Sequence, residues 1–518
     1  MKIQKCKISG AEFEISDWEV EFLRKISPEG FPLPLPELCP DERMRLRTMQ
    51  RNEDKLHRTQ GLISIYSDDT YKLLSHEQWW DGSWDAGDFG RDLDFGRGFF
   101  EQFRELDLAV PRVALIQVGN ENCPYSTGTA YCRNCHLIDC SENCEDCMYG
   151  KLLQDCRDVM DSDYAYECEL CYECFSVEKC YNCKYLSYSQ NCSDCLFSEN
   201  LRGCRNCFLC TNLNNKEYYF MNKPVSKEFY QQVVADCQVE KAMEILERMR
   251  AERIHKYANI VNCEGCSGDF LSGCKNCLDC FDVNDSEDCR YVQVGVQVRD
   301  LLDCSNMYLK PELSYQVLGT IGTYNVHFSL FIFHSQDVWY SQFCYDSSNL
   351  FGCVGLRNKQ YCIFNKQYSQ AEYEELVPRI MARMVETGEW GQFFPAWMSP
   401  FPYNDTVAGR YLPLAREEAV GRGYRWIEPD GSEKVLQILE RERQFLEKMK
   451  LPLPTLTPQE RAQRRIAMRG GMRLYDRVCA KSGEKLLSPY PPESGVVVYG
   501  EKSYLEEVGL CGRVGPWE

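Results

Sequence analysis

The sequence predicts a mainly β protein built on two narrow β-solenoids of about twelve residues per coil. Three observations carry that prediction: cysteines recur every twelve residues, the repeating unit is too short to own a core, and no helical stripe runs through it. In register from Cys132, the first position of successive dodecads is Cys132, Cys144, Cys156, Cys168, Cys180, Cys192 and Cys204. Three residues on come Cys135, Cys147, Val159, Cys171, Cys183, Cys195 and Cys207, with one valine among the thiols. A unit this short buries its inner face only by stacking on its neighbours, which is what a solenoid does. Asn134, Asp146, Asp158, Asn182, Asp194 and Asn206 sit between the thiols and favour tight turns, so each dodecad reads as one coil with a corner near its start. Cys, Tyr, Asn and Ser dominate, and the absence of an Ala- or Leu-rich helical stripe excludes helical repeats.

The first solenoid spans 123–222 and the second 259–368. The second begins with Cys263, Cys266, Cys274, Cys277, Cys280 and Cys289, and its later coils, such as "NVHFSLFIFHSQ", place aromatic and β-branched residues where cysteine had been, predicting an ordinary apolar core. The two blocks end alike: "LNNKEYYFMNKPVSKEFY" from Leu213 matches "LRNKQYCIFNKQYSQAEY" from Leu356. A helix follows each. Ser226 and Ser369 are N-caps, Glu372 completes a capping box, and Tyr230, Val233, Val234 and Cys237 share one face. Each solenoid is thus expected to be closed by an amphipathic helix that covers its last edge, the first within a connecting stretch at 223–258 and the second within a capping helix and linker at 369–435.

The termini also repeat. "EFLRKISPEGFPLPLPELCPDERMRLRTMQRN" resembles "QFLEKMKLPLPTLTPQERAQRRIAMRG", each a Pro-Leu-Pro followed by an Arg-rich helix, and each module (1–60 and 436–518) has a Cys-x-x-Ser-Gly, at Cys6–Gly10 and Cys479–Gly483. They read as small α+β modules of degenerate zinc-ribbon type that kept one thiol of each pair, which predicts no metal there. Between the N-terminal module and the first solenoid, 61–122 contains "WWDGSWDAGDFGRDLDFGRGFF", a Trp/Asp/Gly-rich stretch whose aromatics predict a docking segment.

The dodecad cysteines, "LRNKQYCIFNKQYS" and the Pro-Leu-Pro/Arg modules together resemble a group of cysteine-rich proteins of candidate-phylum bacteria. The likeness covers most of the chain; it implies a bacterial, cytoplasmic protein and transfers no activity and no catalytic residue.

With 32 cysteines in 518 residues and no secretion signal at "MKIQKCKISGAEFEI", metal thiolates are preferred to a disulfide scaffold. Paired Cys-x-x-Cys coils predict zinc tetrads at Cys132/Cys135/Cys144/Cys147, Cys168/Cys171/Cys180/Cys183, Cys192/Cys195/Cys204/Cys207 and Cys263/Cys266/Cys274/Cys277, about four ions in all, leaving Cys156 free. Neighbouring coils lie ~4.8 Å apart, close to the sulfur spacing of a zinc tetrahedron. Stacked thiols or disulfides are one alternative. An iron–sulfur cluster is the other, suggested by the triplets Cys168/Cys171/Cys174, Cys204/Cys207/Cys210 and Cys274/Cys277/Cys280. Thr is too scarce for an ice-binding face.

The balance of 59 basic against 78 acidic residues, a formal charge of -19, excludes a protein that coats nucleic acid or anionic membrane over its whole surface. No apolar run is long enough to span a membrane. Local positive clusters remain at Arg43, Arg45, Arg47, Arg51 and Arg58, and at Arg461, Arg464, Arg465, Arg469, Arg473 and Arg477, as candidate phosphate contacts. No nucleophile elbow, P-loop or dinucleotide fingerprint is present, and none of the six histidines is paired at i, i+4, so no catalytic residue is predicted. The function expected is a non-enzymatic, zinc-stabilised scaffold for a protein partner, with an RNA- or DNA-associated factor and an iron–sulfur redox protein as alternatives.

Overall fold

The computed structural model describes residues 2–52, 55–150, 160, 163–166, 175–178, 184–187, 189, 191–287, 289, 293–296, 301–302, 305–307, 312–428, 436, 438–449, 451–468 and 471–508. The chain forms two compact units, one of Met1–Ala114 with Ala258–Ile427 and the other of Leu115–Tyr257 with Glu428–Glu518. The protein is mainly β, and a β-solenoid of twelve residues per coil is its dominant element. In the second unit parallel coils run between Gln117 and Phe220, with Thr127 paired to Asp139 and Leu201 to Leu213. In the first unit they run between Ile260 and Ile363, with Leu330 paired to Gln342 and Val338 to Leu350.

Buried side chains recur at every third residue, as in Cys132, Cys135, Ile138, Ser141, Cys144 and Cys147. The residue just before each inward one is left-handed: Tyr131, Asn134, Leu137, Asn143 and Asp146 have φ between 52° and 61°. A left-handed residue every third position bends the chain at every third position, so a coil is a narrow four-sided tube with three residues and one inward side chain per side. The single corner expected per dodecad is therefore corrected to four. The other corners escape a reading based on Asn and Asp because Tyr, Leu and Phe occupy many of them, residues that seldom adopt this backbone. Stacking offsets the strain. Asn122 Nδ2 donates to Asn134 Oδ1 at 2.8 Å, Asn200 to Asn212 at 2.8 Å and Asn325 to Asp337 at 2.7 Å, each pair twelve residues apart. Phe331 and Phe343 stack at 4.9 Å in the same way.

One coil is a residue short. Ile260 pairs with Leu271 while Gly268 pairs with Cys280. At φ 142°, Gly268 brings its backbone so close to Cys280 that a Cβ there would lie 1.8 Å from the carbonyl oxygen, which only glycine avoids.

The interior changes along the chain as expected, but its aromatics lie elsewhere. Cysteines of the early coils give way to inward Val326, Ser329, Ile332, Ser335 and Val338. Phe328, Phe331, Tyr340 and Phe343 are left-handed corner residues outside the tube, not replacements for the thiols.

The closing helices form as predicted. Lys227–Ala235 is capped by Ser226, whose Oγ accepts from Phe229 N at 3.2 Å, and its Tyr230 is buried. Gln370–Thr387 starts with the Ser369/Glu372 capping box. The terminal repeat extends further than predicted. The helices Asp17–Ile26 and Pro40–Thr48, hairpin His57–Thr59/Leu62–Ser64, strand Leu73–Leu74 and helix His76–Trp80 recur in the same order at the C-terminus. There they are Glu440–Met449, Pro458–Met468, Tyr475–Val478/Lys485–Ser488, Val498–Tyr499 and Glu501–Glu507.

The Trp/Asp/Gly stretch docks on the coils of its own unit. Trp79 is buried, Arg357 lies over the rings of Trp79, Trp80 and Trp84, and Phe99 packs against Tyr340, Phe351 and Phe364.

His327, fully buried in the same unit, hydrogen-bonds Asn325 Oδ1 through Nε2 at 2.6 Å and packs tilted against Trp339 at 4.1 Å. Burial pushes its pKa down to about 3. The unfolded chain takes up a proton below about pH 6.5 that the folded chain refuses, so the stability His327 confers is complete above that pH and is lost as pH falls towards 3. Between pH 7 and pH 5 this costs about 2 kcal/mol. Urea unfolding at both values is expected to show a loss that His327→Gln reduces by that amount; an identical loss in the variant would contradict it.

Candidate functional site

The inward cysteines form a ladder of hydrogen-bonded thiols. Each Sγ lies beside the carbonyl two residues back and, in most coils, beside one on the next coil. Cys135 reaches Arg133 O and Cys144 O, both at 3.3 Å, and Cys274 reaches Ser272 O and Val283 O, both at 3.3 Å. Serine does the same work where it replaces cysteine. Ser341 Oγ donates to Trp339 O at 2.9 Å and accepts from Cys353 N on the next coil at 2.9 Å. A small side chain that can both donate and accept is what a narrow tube needs beside each corner, because bends free backbone groups that burial would leave unpaired.

The structure places the sulfurs of two of the four predicted tetrads side by side. The sulfurs of Cys132, Cys135, Cys147 and Cys144 form a closed ring in which each lies beside two others, and those of Cys192, Cys195, Cys207 and Cys204 repeat it. Hydrogen bonds from Cys135 and Cys144 lower Cys132, and Cys135 is raised by Cys132 and Cys147. Cys263 and Cys266 accept from Cys274 N and Cys277 N at 3.3 and 3.4 Å across the short coil. Cys156, Cys168, Cys171, Cys174, Cys180, Cys183 and Arg469 lie outside the described residues. Among the described residues, no group of three or more His, Cys, Asp and Glu side chains is placed to hold a metal ion. The triplets Cys204/Cys207/Cys210 and Cys274/Cys277/Cys280 occupy successive inward positions and are buried. His136 is half-buried and packs on Tyr125, and burial lowers its pKa.

The arginine clusters are mostly internal. Arg43, Arg45, Arg47, Arg51, Arg461 and Arg465 are buried and Arg464 is half-buried, while Arg58 and Arg473 are exposed. Arg43 faces Glu19 at 3.7 Å, Arg45 pairs with Glu42 at 3.3 Å and Arg461 with Glu442 at 3.2 Å. A guanidinium enters a protein interior only with a partner, and these carboxylates supply it.

A second feature lies on the first unit. Successive coils stack Gly322, His334, Asp346 and Asn358 at one corner, with Tyr324, Gln336, Ser348 and Gln360 beside them and Ser335, Ser347 and Lys359 completing an open groove of about 470 Å³. The corner through Phe328, Tyr340, Gly352 and Phe364 is covered by Phe99, and the one through Phe343 by Arg112, whereas this polar corner is open to solvent. Lys359 pairs with Asp85 at 2.8 Å, and that hydrogen bond raises its pKa, keeping it charged. The groove therefore presents amides, hydroxyls, one imidazole, one carboxylate and the Asp85-paired ammonium of Lys359, without a basic excess. Sequence reasoning missed it. Written as aligned dodecads, its outward columns are continuously polar, and that is the signal that would have found it.

These features define a β-solenoid protein with a thiol-and-hydroxyl core and an open polar groove. No family model, curated protein or solved structure matches the chain. Among the described residues, no helix is long and apolar enough to cross a membrane.

Proposed function

We propose that the protein is a non-enzymatic binding scaffold whose groove at Tyr324, His334, Gln336, Asn358 and Gln360 takes an extended, uncharged polar segment of a protein partner. The observation that carries this reading is the open polar groove along the stacked corner Gly322, His334, Asp346 and Asn358. Side-chain amides offer a donor and an acceptor each, matching the N–H and C=O of an extended backbone, and the lack of basic excess disfavours phosphate. Selection of a displayed random-peptide library on the purified protein tests it. Enriched peptides should bind about tenfold more weakly to Gln336→Ala/Gln360→Ala, the loss of one or two hydrogen bonds. No enrichment, or binding indifferent to those changes, would sink the proposal. Retention of RNA or DNA that weakens steeply with salt would favour the nucleic-acid reading instead.

On the same reading the thiols serve the core as reduced ladder groups, and zinc tetrads are the competing proposal. Elemental analysis separates them. The ladder predicts less than one zinc per chain, whereas about four would restore the tetrads, and iron with visible absorption would move the assignment to clusters.

A further inference from the structure

Outside the solenoid, two cysteines remote in sequence face each other. Cys6 opens the turn of the hairpin Lys2–Lys5/Glu12–Ile15, where Cys6 N donates to Ala11 O at 2.8 Å and Gly10 N to Cys6 O at 2.9 Å, with Gly10 at φ 72°. Ser9 N donates to Cys6 Sγ at 3.5 Å, and Ser9 Oγ lies 3.7 Å from Cys39 Sγ. Cys39 is the N-cap of the helix Pro40–Thr48, yet its side chain makes no capping hydrogen bond to that helix. Its sulfur is in hydrogen-bonding reach of Cys6 instead. Cys6 is buried, Cys39 is half-buried and Ser9 is exposed, so the pair sits just beneath the surface.

The electrostatics agree with the geometry. Burial works against the Cys6 thiolate, but the Ser9 side chain and the main-chain N–H groups of Cys39, Ser9 and Ile8 outweigh it and bring the thiol down to about 7. The ladder thiol Cys344, by contrast, is pushed up to about 12 by burial inside the tube. The C-terminal Cys-x-x-Ser-Gly, whose Cys479 is likewise brought down to about 6, is a built-in control for the second thiol rather than for acidity. Cys479 has the same turn, with Cys479 N donating to Glu484 O at 2.8 Å and Gly483 at φ 75°. Its partners, however, are the hydroxyls of Ser482 and Ser503 and the backbone at Ser482 and Gly500. Thr457 stands where the first module has Cys39.

We propose that Cys6 and Cys39 form a redox-active dithiol that a peroxide-class oxidant converts to a disulfide, tying the N-terminal hairpin to the Pro40–Thr48 helix. One thiolate attacks the peroxide, its O–O bond breaks, and a sulfenic acid forms as hydroxide leaves. The second thiolate then attacks the sulfenic sulfur, the S–O bond breaks, and a second hydroxide leaves. The two thiol protons convert both hydroxides to water, so two thiols and one hydrogen peroxide give one disulfide and two waters. The two sulfurs together lose the two electrons that the peroxide oxygens gain.

The experiment is a limited hydrogen peroxide titration of the full-length protein, followed by differential alkylation and peptide mass spectrometry. The expected result is a Cys6–Cys39 linked peptide at doses that leave Cys479 and the ladder cysteines alkylatable. Cleavage after Lys7 by trypsin should slow about tenfold on oxidation and recover with dithiothreitol, since the crosslink restrains local opening. Cys39→Ser and Cys6→Ser should each abolish both effects, and unchanged circular dichroism establishes that the variants fold. Linkage of Cys6 to another cysteine would overturn the proposal, as would oxidation of the ladder while Cys6 and Cys39 stay alkylatable.

Discussion

Glu442→Ala is expected to remove about 3–5 kcal/mol of stability from the Leu115–Tyr257/Glu428–Glu518 unit. The Glu442 and Arg461 side chains are 1% and 2% exposed and lie 3.2 Å apart. Tyr149 Oη adds a hydrogen bond to Glu442 at 2.9 Å, and Arg461 donates to Leu456 O at 2.9 Å. Removing the carboxylate takes a charge partner from a guanidinium held out of water, which costs far more than losing a surface pair. The double variant Glu442→Met/Arg461→Met is expected to recover most of the loss, because it removes the charge along with its partner. Urea unfolding of wild type, both singles and the double, at low and high salt, checks this. The effect should be insensitive to salt, since screening acts on exposed charges. A loss below about 1 kcal/mol would mean that the pair is solvated, and would reopen the terminal helices as phosphate contacts. Arg43→Ala makes the same test in the other unit, where Arg43 and Glu19 are 2% and 1% exposed.

That pairing shows where sequence reading stops. Arg43 and Arg47, like Arg461 and Arg465, are four residues apart on one helix face, and a cluster of positive charge on an acidic chain reads as a binding surface. What turns the face inward is a glutamate on the preceding helix, Glu19 or Glu442, whose partnership no local window contains. The repeat of the whole module held the clue: Glu19 and Glu442 occupy matching places one helix before matching arginines.

The solenoid was far more legible, because its period is written once per coil in cysteine and its closing helices carry ordinary capping residues at Ser226, Ser369 and Glu372. Its cross-section was not. Tyr131, Leu137, Phe197 and Leu209 turn left-handed corners that propensity assigns to Asn, Asp and Gly, and they do so because the coil above and the coil below fix them. The thiol positions were legible as positions but ambiguous as chemistry. Spacing alone brings Cys132, Cys135, Cys144 and Cys147 together, and it does not say whether each sulfur turns towards its neighbours or towards Ala130 O and Arg133 O. Ser341 and Ser347, which take the same place with the same hydrogen bonds, tip the reading towards a structural ladder.

Phe99→Ala is expected to cost about 3–5 kcal/mol in the Met1–Ala114/Ala258–Ile427 unit and to loosen the docking segment from the coils. Phe99 is 3% exposed, and its ring meets Tyr340 and Phe364 edge-on at 5.3 Å and Phe351 at 5.6 Å. Gly352 makes room for it: a Cβ there would come 3.1 Å from Phe99 Cζ, so the ring fills a notch where the stacked corner lacks a side chain. Removal of the ring leaves that notch empty, bounded by a corner whose backbone is fixed by the coils on either side and cannot collapse into it. The helix that presents Phe99 has a glycine N-cap, and Glu389 supplies the missing acceptor by taking hydrogen bonds from Phe99 N and Phe100 N, both at 2.9 Å. Glu389→Ala should therefore lose a smaller amount, about 1 kcal/mol as for other lost helix caps, while Phe99→Leu should fall between the two. Urea unfolding with tryptophan fluorescence checks the series, since Trp79 and Trp84 lie in the same segment. If Phe99→Ala lost less than Glu389→Ala, the helix cap rather than the ring would anchor the segment to the solenoid.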